Sequence, residues 1–211
     1  MMSRGLFISF EGTDGSGKTT QYRLFAEYLV SLGYEVVTTR EPGGTPISEK
    51  IRGIILDPEN TEMDDMTEAL LFAAGRAQHV AQLIRPSVEA GKIVLCDRFM
   101  DSSIAYQGYA RGLGDCVRII NEYAVAGMQP DLTFLLDLPP QAGRSRNVKA
   151  GKADRLEKQA MEFHSKVYEG YKKLAEIYPD RFIVIDADGS IEEVQARIRR
   201  EFFERKATRS E

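Results

Sequence analysis

The chain has 211 residues, 43% of them hydrophobic, and 28 Lys+Arg against 32 Asp+Glu leave a net charge of −4. That composition fits one globular domain able to bury a self-supporting core. It excludes a disordered chain and argues against general nucleic-acid affinity, which would need a basic face. Cys96 and Cys116 are too few for a disulfide framework and lack companions spaced for zinc, and no apolar run is long enough for an export signal or a bilayer span, so a reducing, cytoplasmic setting with no membrane partner is expected.

In chain order, the first expected strand is near residues 6–10, where apolar residues run on without the alternation of a half-exposed strand. It leads straight into Gly12-Thr13-Asp14-Gly15-Ser16-Gly17-Lys18-Thr19, which fits G-x-x-x-x-G-K-[ST], and then into a helical pattern over 19–32 stopped by Gly33. Such a loop holds nucleotide phosphates. Its glycines allow a tight turn with converging N–H groups, the helix N-terminus adds partial positive charge, Lys18 neutralises terminal phosphates, and Thr19 offers an oxygen to Mg²⁺. Asp14 is the odd member, since a carboxylate inside an anion site repels the ligand unless it has another partner; a sugar hydroxyl and a simple turn cap both stay open.

A second strand near 35–39 delivers Arg40 to the same sheet edge, and Glu41-Pro42-Gly43-Gly44 turns the chain toward a helix over 45–56. A longer helix is expected over 67–90, stopped by Gly91; on it Phe72 and Arg76, four apart, share a face, as a base pocket would use them or as core and snorkelling surface charge would. The strand near 93–96 ends in Asp97-Arg98, an acid suited to a magnesium water and a fork suited to phosphate. The stretch from Asp101 to Gly108 supplies hydroxyl, amide and aromatic groups for reading a base and sugar. A helix over 115–126 and a strand near 132–136 precede a basic segment with Arg144, Arg146, Lys149, Lys152 and Arg155, which reads as a mobile lid over about 141–155. A helix over 155–177, a strand near 182–185 and a helix over 191–203 close the chain. The fold class is therefore α/β: a three-layer P-loop NTPase fold, one domain over 1–211, with five parallel strands buried on both faces and flanked by helices. Ligands of such sheets bind at the carboxyl ends of the strands, where these motifs fall.

Together, Gly12–Thr20, Thr39-Arg40-Glu41-Pro42-Gly43-Gly44-Thr45, Leu70-Leu71-Phe72-Ala73-Ala74 with Arg76, Asp97-Arg98, Ala105-Tyr106-Gln107-Gly108 and Asp154-Arg155-Leu156-Glu157 resemble bacterial-type thymidylate kinases in order and spacing over nearly the whole chain. The resemblance implies transfer of the ATP γ-phosphate to dTMP, giving dTDP, with Mg²⁺ and as a homodimer. By residue, it implies that Gly12 to Thr20 hold ATP, that Phe72 stacks on thymine, that Arg76 bonds its O4, and that Ser103 and Gln107 complete base recognition. It also implies that Tyr106 crowds the ribose 2′ position, Asp14 accepts the 3′-hydroxyl, Arg40 and Arg98 hold the acceptor phosphate, and Asp97 with Thr19 serves the metal. Lys18 and Arg98 are then catalytic. Eukaryotic-type relatives place an arginine directly after the P-loop acid, where this chain has Gly15, so a lid arginine is expected instead, Arg146 and Arg155 first. His79 and His164 are expected only to pack or face solvent. A kinase for another pyrimidine monophosphate is the alternative; a P-loop switch lacks its guanine-reading Asn-Lys-x-Asp here.

Overall fold

The structure, a computed structural model, describes residues 4–147, 155–157 and 159–208. Strands β1 (Phe7–Glu11), β2 (Val36–Arg40), β3 (Ile93–Asp97), β4 (Leu132–Asp137) and β5 (Phe182–Asp186) form one parallel sheet in the order β2-β3-β1-β4-β5. Each runs one residue past the end expected from the sequence, ending on Glu11, Arg40, Asp97, Asp137 and Asp186. The ladder outlasts the hydrophobic pattern because those last residues reach beyond the apolar layers to the carboxyl edge. Burial on both faces holds for the three inner strands and fails at the edges. There β2 exposes Thr38 and β5 exposes Val184, since an edge strand has helical cover over only part of its surface.

The helices follow the sequence pattern with several differences. Helices α1 (Lys18–Ser31) and α2 (Pro46–Leu56) lie where expected; the Thr45 hydroxyl caps α2 by accepting from the Ser48 N–H, with Pro46 at the first helical position. Helix α3 (Asp65–His79), capped by Asp64, does not run on to residue 90. It gives way to a π-helical segment, Val80–Ile84, and then to α4 (Arg85–Glu89). Pro86, which has no N–H to donate, sits just past the widened turn. After Asp97-Arg98, where the sequence pattern marks no element, α5 (Met100–Ser103) leads into a second π-helical segment, Ile104–Ala110. Helix α6 (Cys116–Val125) is as expected, and α7 (Pro140–Asn147) takes up the first part of the segment read as a lid; Lys149 and Lys152 lie outside the described residues. Helix α8 (Met161–Ile177) starts later than expected because residues 155–157 form a turn in which Leu156 is buried, and α9 (Ile191–Thr208) ends the fold.

Alternate strand residues feed two apolar layers. Phe7, Val94, Cys96 and Leu135 pack toward α8 and the π segments, while Ile8, Phe10, Leu95 and Phe134 pack toward α1 and α9. In the second layer the rings of Phe10, Phe25, Phe134 and Phe202 contact one another at 5.3–6.0 Å, each pair adding about 0.5–1.5 kcal/mol beyond its burial. That layer fixes α1, and with it the phosphate loop at its N-terminus. Among the described residues no helix is long and apolar enough to cross a membrane.

Candidate active site

The carboxyl edge of the sheet opens onto a cavity of about 770 Å³, within the ordinary range for ligand sites. Gly15, Ser16, Gly17, Lys18, Thr19 and Thr20 line one end. Gly12 and Thr13 do not; they brace the loop, Gly12 by accepting from Arg98 Nη1 at 3.1 Å and Thr13 by donating to the Leu138 carbonyl at 3.0 Å. Gly15 sits at φ +78°, and a Cβ there would lie 2.1 Å from the Gly143 carbonyl oxygen of α7. The packing of α7 thus explains why this position carries no arginine. Lys18 Nζ donates to the Thr13 carbonyl at 2.8 Å, and burial together with the nearby Arg98 charge pulls its pKa down to about 8. Ser16 Oγ is buried without a hydrogen-bond partner, so a phosphate oxygen would satisfy it. Thr19 Oγ1 donates to Asp97 Oδ2 at 2.7 Å, which sets two hard oxygen ligands side by side. That donor set suits Mg²⁺.

Mid-cavity, Asp14 finds the partner its sequence context lacked. Arg98 Nη2 donates to Asp14 Oδ1 at 2.5 Å and the Tyr106 hydroxyl to Oδ2 at 3.2 Å. Burial would raise the Asp14 pKa, but Arg98 and Lys18 outweigh it and hold the carboxyl down at about 2. Arg98 itself sits in left-handed backbone geometry, φ +69°, and that turn is secured by Glu11, a residue the sequence reading missed. Fully buried, Glu11 accepts from the Phe99 N–H at 2.7 Å, from the Ser102 hydroxyl at 2.7 Å and from the Tyr171 hydroxyl at 2.9 Å. Burial first, then the neighbouring Asp101 charge, push its pKa up to about 7. The signal available was a charged residue closing a strand buried on both faces that carries no other charge.

At the far end, Phe72, Arg76, Ser103, Tyr106 and Gln107 line the cavity together. Arg76 is 2% exposed: Nε donates to Glu41 at 2.7 Å, Nη1 to Ser103 at 3.0 Å and to Asn121, and Nη2 to the Phe99 carbonyl at 3.1 Å. Four of its five N–H groups are thereby used, leaving one on Nη2. Glu41 also accepts from His79 Nδ1 at 2.9 Å, so His79 is a buried network member rather than a plain packing residue. Glu68, likewise missed, is fully buried and accepts from Gln107 Nε2 at 2.8 Å, from Arg111 and from Arg155.

Two residues fall outside the cavity lining, and a third is held at its rim. Arg155, expected as a catalytic lid arginine, donates to the Ile55 carbonyl at 3.0 Å and to Glu68 and does not line the cavity; a buried carboxylate holds it on the base side. Asp101, which opens the stretch credited with base- and sugar-reading groups, accepts from Arg181 at 2.5 and 2.8 Å outside the cavity, because it is fully buried and a carboxylate there needs a cation. Arg40 reaches the rim but is engaged by Glu49 at 3.0 Å and the Pro42 carbonyl at 2.6 Å. Arg146 is carried on α7. Beside the phosphate loop the cavity continues along Ala187, Gly189, Ser190, Ile191 and Val194.

A phosphate loop at one end of a cavity and a polar, aromatic-walled pocket at the other define a P-loop protein built for two nucleotide-sized ligands. The thymidylate kinase family profile matches residues 10–198. Thymidylate kinases from Geobacillus sp. (strain WCH70) and Symbiobacterium thermophilum are 52% and 53% identical over 92% of this chain, covering 93% and 91% of their own lengths. The crystal structure of thymidylate kinase from Ehrlichia chaffeensis superposes with a TM-score of 0.78 at 36% identity, over 95% of this chain and 99% of that one. The chain belongs to the thymidylate kinase family.

Proposed function

We propose that this protein transfers the γ-phosphate of ATP to dTMP, giving dTDP and ADP, with Mg²⁺. The observation that carries the reading is the single cavity that joins the phosphate loop to the Phe72–Arg76–Gln107 pocket, with Asp14 and Arg98 between them. Donor phosphates lie on the loop N–H groups, Ser16 and Lys18, and adenine extends toward Ala187 to Val194. Thr19 and Asp97 hold the metal, which when bound supplies neutralisation of phosphate charge. At the acceptor end, Phe72 stacks on thymine, the remaining Arg76 N–H meets O4, and Ser103 and Gln107 read the rest of the base edge. Asp14 takes the 3′-hydroxyl, Tyr106 fills the ribose 2′ side, and Arg98 with Arg40 grips the acceptor phosphate.

No side-chain base is needed, because the acceptor phosphate, with a second pKa of about 6, is already anionic near pH 7. Its oxygen attacks the γ-phosphorus in line, the bond to the bridging oxygen breaks, and ADP leaves with that electron pair. Arg146, on α7, supplies charge to the migrating group, while Arg155 anchors the base side. Helices α3 and α6 pack together, and their exposed apolar residues Leu70, Ile119 and Tyr123, at 51%, 43% and 83%, support a homodimer; a cytoplasmic setting is part of the same proposal. Incubation with dTMP and γ-labelled ATP tests the transfer: label appears in dTDP and never on protein. Protein-bound label contradicts direct transfer, and absence of labelled dTDP contradicts the acceptor.

A further inference from the structure

Gln107 is 1% exposed and lines the base end of the cavity, yet only one end of its amide is satisfied. Nε2 donates to Glu68 Oε1 at 2.8 Å, while Oε1 is buried with no hydrogen-bond partner. An amide can turn over to exchange these two ends, but not here. A carboxylate only accepts hydrogen bonds, so the NH₂ must face Glu68 and the carbonyl oxygen must face away from it. Glu68 is in turn fixed by Arg111 at 3.0 Å and by Arg155, neither of which lines the cavity. The amide's orientation is therefore imposed by a buried ion cluster on the side away from the ligand.

We propose that Glu68 is a positioning residue that locks the Gln107 amide with its oxygen toward the base, so that the pocket selects bases carrying an N3–H. Thymine and uracil present N3–H as a donor and match this acceptor. Cytosine presents a bare N3 lone pair there, oxygen meets lone pair, and a buried acceptor stays unpaired. The inference rests on the dTMP reading above and deepens it by naming what sets the base preference. It separates imide bases from cytosine and leaves the 5-methyl group to other contacts.

The test compares kcat/KM for dTMP and dCMP in the wild type, in Glu68→Gln and in the swapped double variant Glu68→Gln/Gln107→Glu. In Glu68→Gln the facing amide can donate or accept, Gln107 is free to turn over, and the dTMP:dCMP ratio falls at least about tenfold, the scale of one mispaired buried group. In the swap, one carboxylate oxygen at 107 accepts from the new amide and the other faces the base, and the ratio returns to within about threefold of wild type. A purely structural role would lower kcat/KM for both acceptors in parallel; an unchanged ratio in Glu68→Gln, or a ratio the swap does not restore, overturns the inference. If circular dichroism shows that Glu68→Gln is unfolded, the swap, which keeps the charge, decides alone: a retained dTMP preference supports the lock and a lost one overturns it. A wild type that phosphorylates neither nucleotide overturns the proposed function instead, a result distinct from a wild type and a Glu68→Gln variant that select dTMP equally well.

Discussion

Arg98 and Asp14 form a 2.5 Å ion pair across the mouth of the phosphate loop, joining the residue after β3 to the loop after β1. The carboxylate that looked misplaced in an anion-binding loop is there as the counter-ion of the arginine proposed to take the acceptor phosphate. An acceptor would bring a phosphate to Arg98 and a hydroxyl to Asp14, so both groups stay partnered on binding.

That pairing has a pH signature. The Asp14 pKa is lowered from 3.8 to about 2, so its contribution to stability is complete above its ordinary value and is lost as pH falls from about 4 to 2. The full shift corresponds to about 2 kcal/mol, and solvent screening of a side chain 30% exposed brings this nearer 1 kcal/mol. Denaturant unfolding of wild type and Asp14→Asn should differ by that amount at pH 6 and converge near pH 2. A gap that persists at low pH would show that the pair contributes nothing through charge.

Lys18 titrates in the opposite sense. Its pKa falls from 10.5 to about 8 without ligand, so the free enzyme loses this charge as pH rises through 8, whereas bound phosphates stabilise the charged form. The expected profile is a kcat/KM for ATP that declines above about pH 8 while kcat holds to higher pH. Coincident profiles for the two parameters would refute this. Lys18→Ala should cost about 10²–10³ in kcat, the scale of one lost transition-state contact.

Glu41→Gln would leave the Arg76 guanidinium, 2% exposed, without its carboxylate. Removing one partner of a buried pair costs about 3–5 kcal/mol. Urea denaturation should show a loss of that size with an unchanged slope; a loss under about 1 kcal/mol would mean that Asn121, Ser103 and the Phe99 carbonyl alone suffice to hold Arg76.

Arg146 and Arg155, alike in sequence, should separate in experiment. Arg155 is anchored on Glu68 and the Ile55 carbonyl, so Arg155→Ala should lower stability by about 1–3 kcal/mol and raise the KM for dTMP, with a smaller effect on kcat. Arg146→Ala should lower kcat about 10²-fold or more. Paired unfolding and steady-state data on the two variants check this, and the reverse pattern would make Arg155 the catalytic arginine.

What the sequence disclosed and what it hid follow from where the information lies. The five strands and the phosphate loop were legible because each is a local pattern: an apolar run, then glycines and Lys18 at fixed offsets. Glu11, Glu41 and Glu68 were not, because a lone carboxylate has no local signature and its partner is remote: Phe99 lies 88 residues from Glu11, Arg76 lies 35 from Glu41, and Gln107 lies 39 from Glu68. The base pocket shows the same limit. The helical spacing of Phe72 and Arg76 put them on one face, yet only the tertiary fold shows that Glu41 and Asn121 hold Arg76 there. The π-helical segment at Ile104–Ala110, which carries Tyr106 and Gln107 into the cavity, departs from the 3.6-residue period by which helices are read.

The most direct test is ADP release from ATP and Mg²⁺ with dTMP, dUMP, CMP and UMP offered in turn, and Lys18→Ala as the blank. Turnover should be strongest with dTMP and near zero in the blank. If no monophosphate stimulates ADP release while ATP still binds, the phosphate loop stands but the acceptor pocket has been misassigned, and the proposal of transfer between two nucleotides fails.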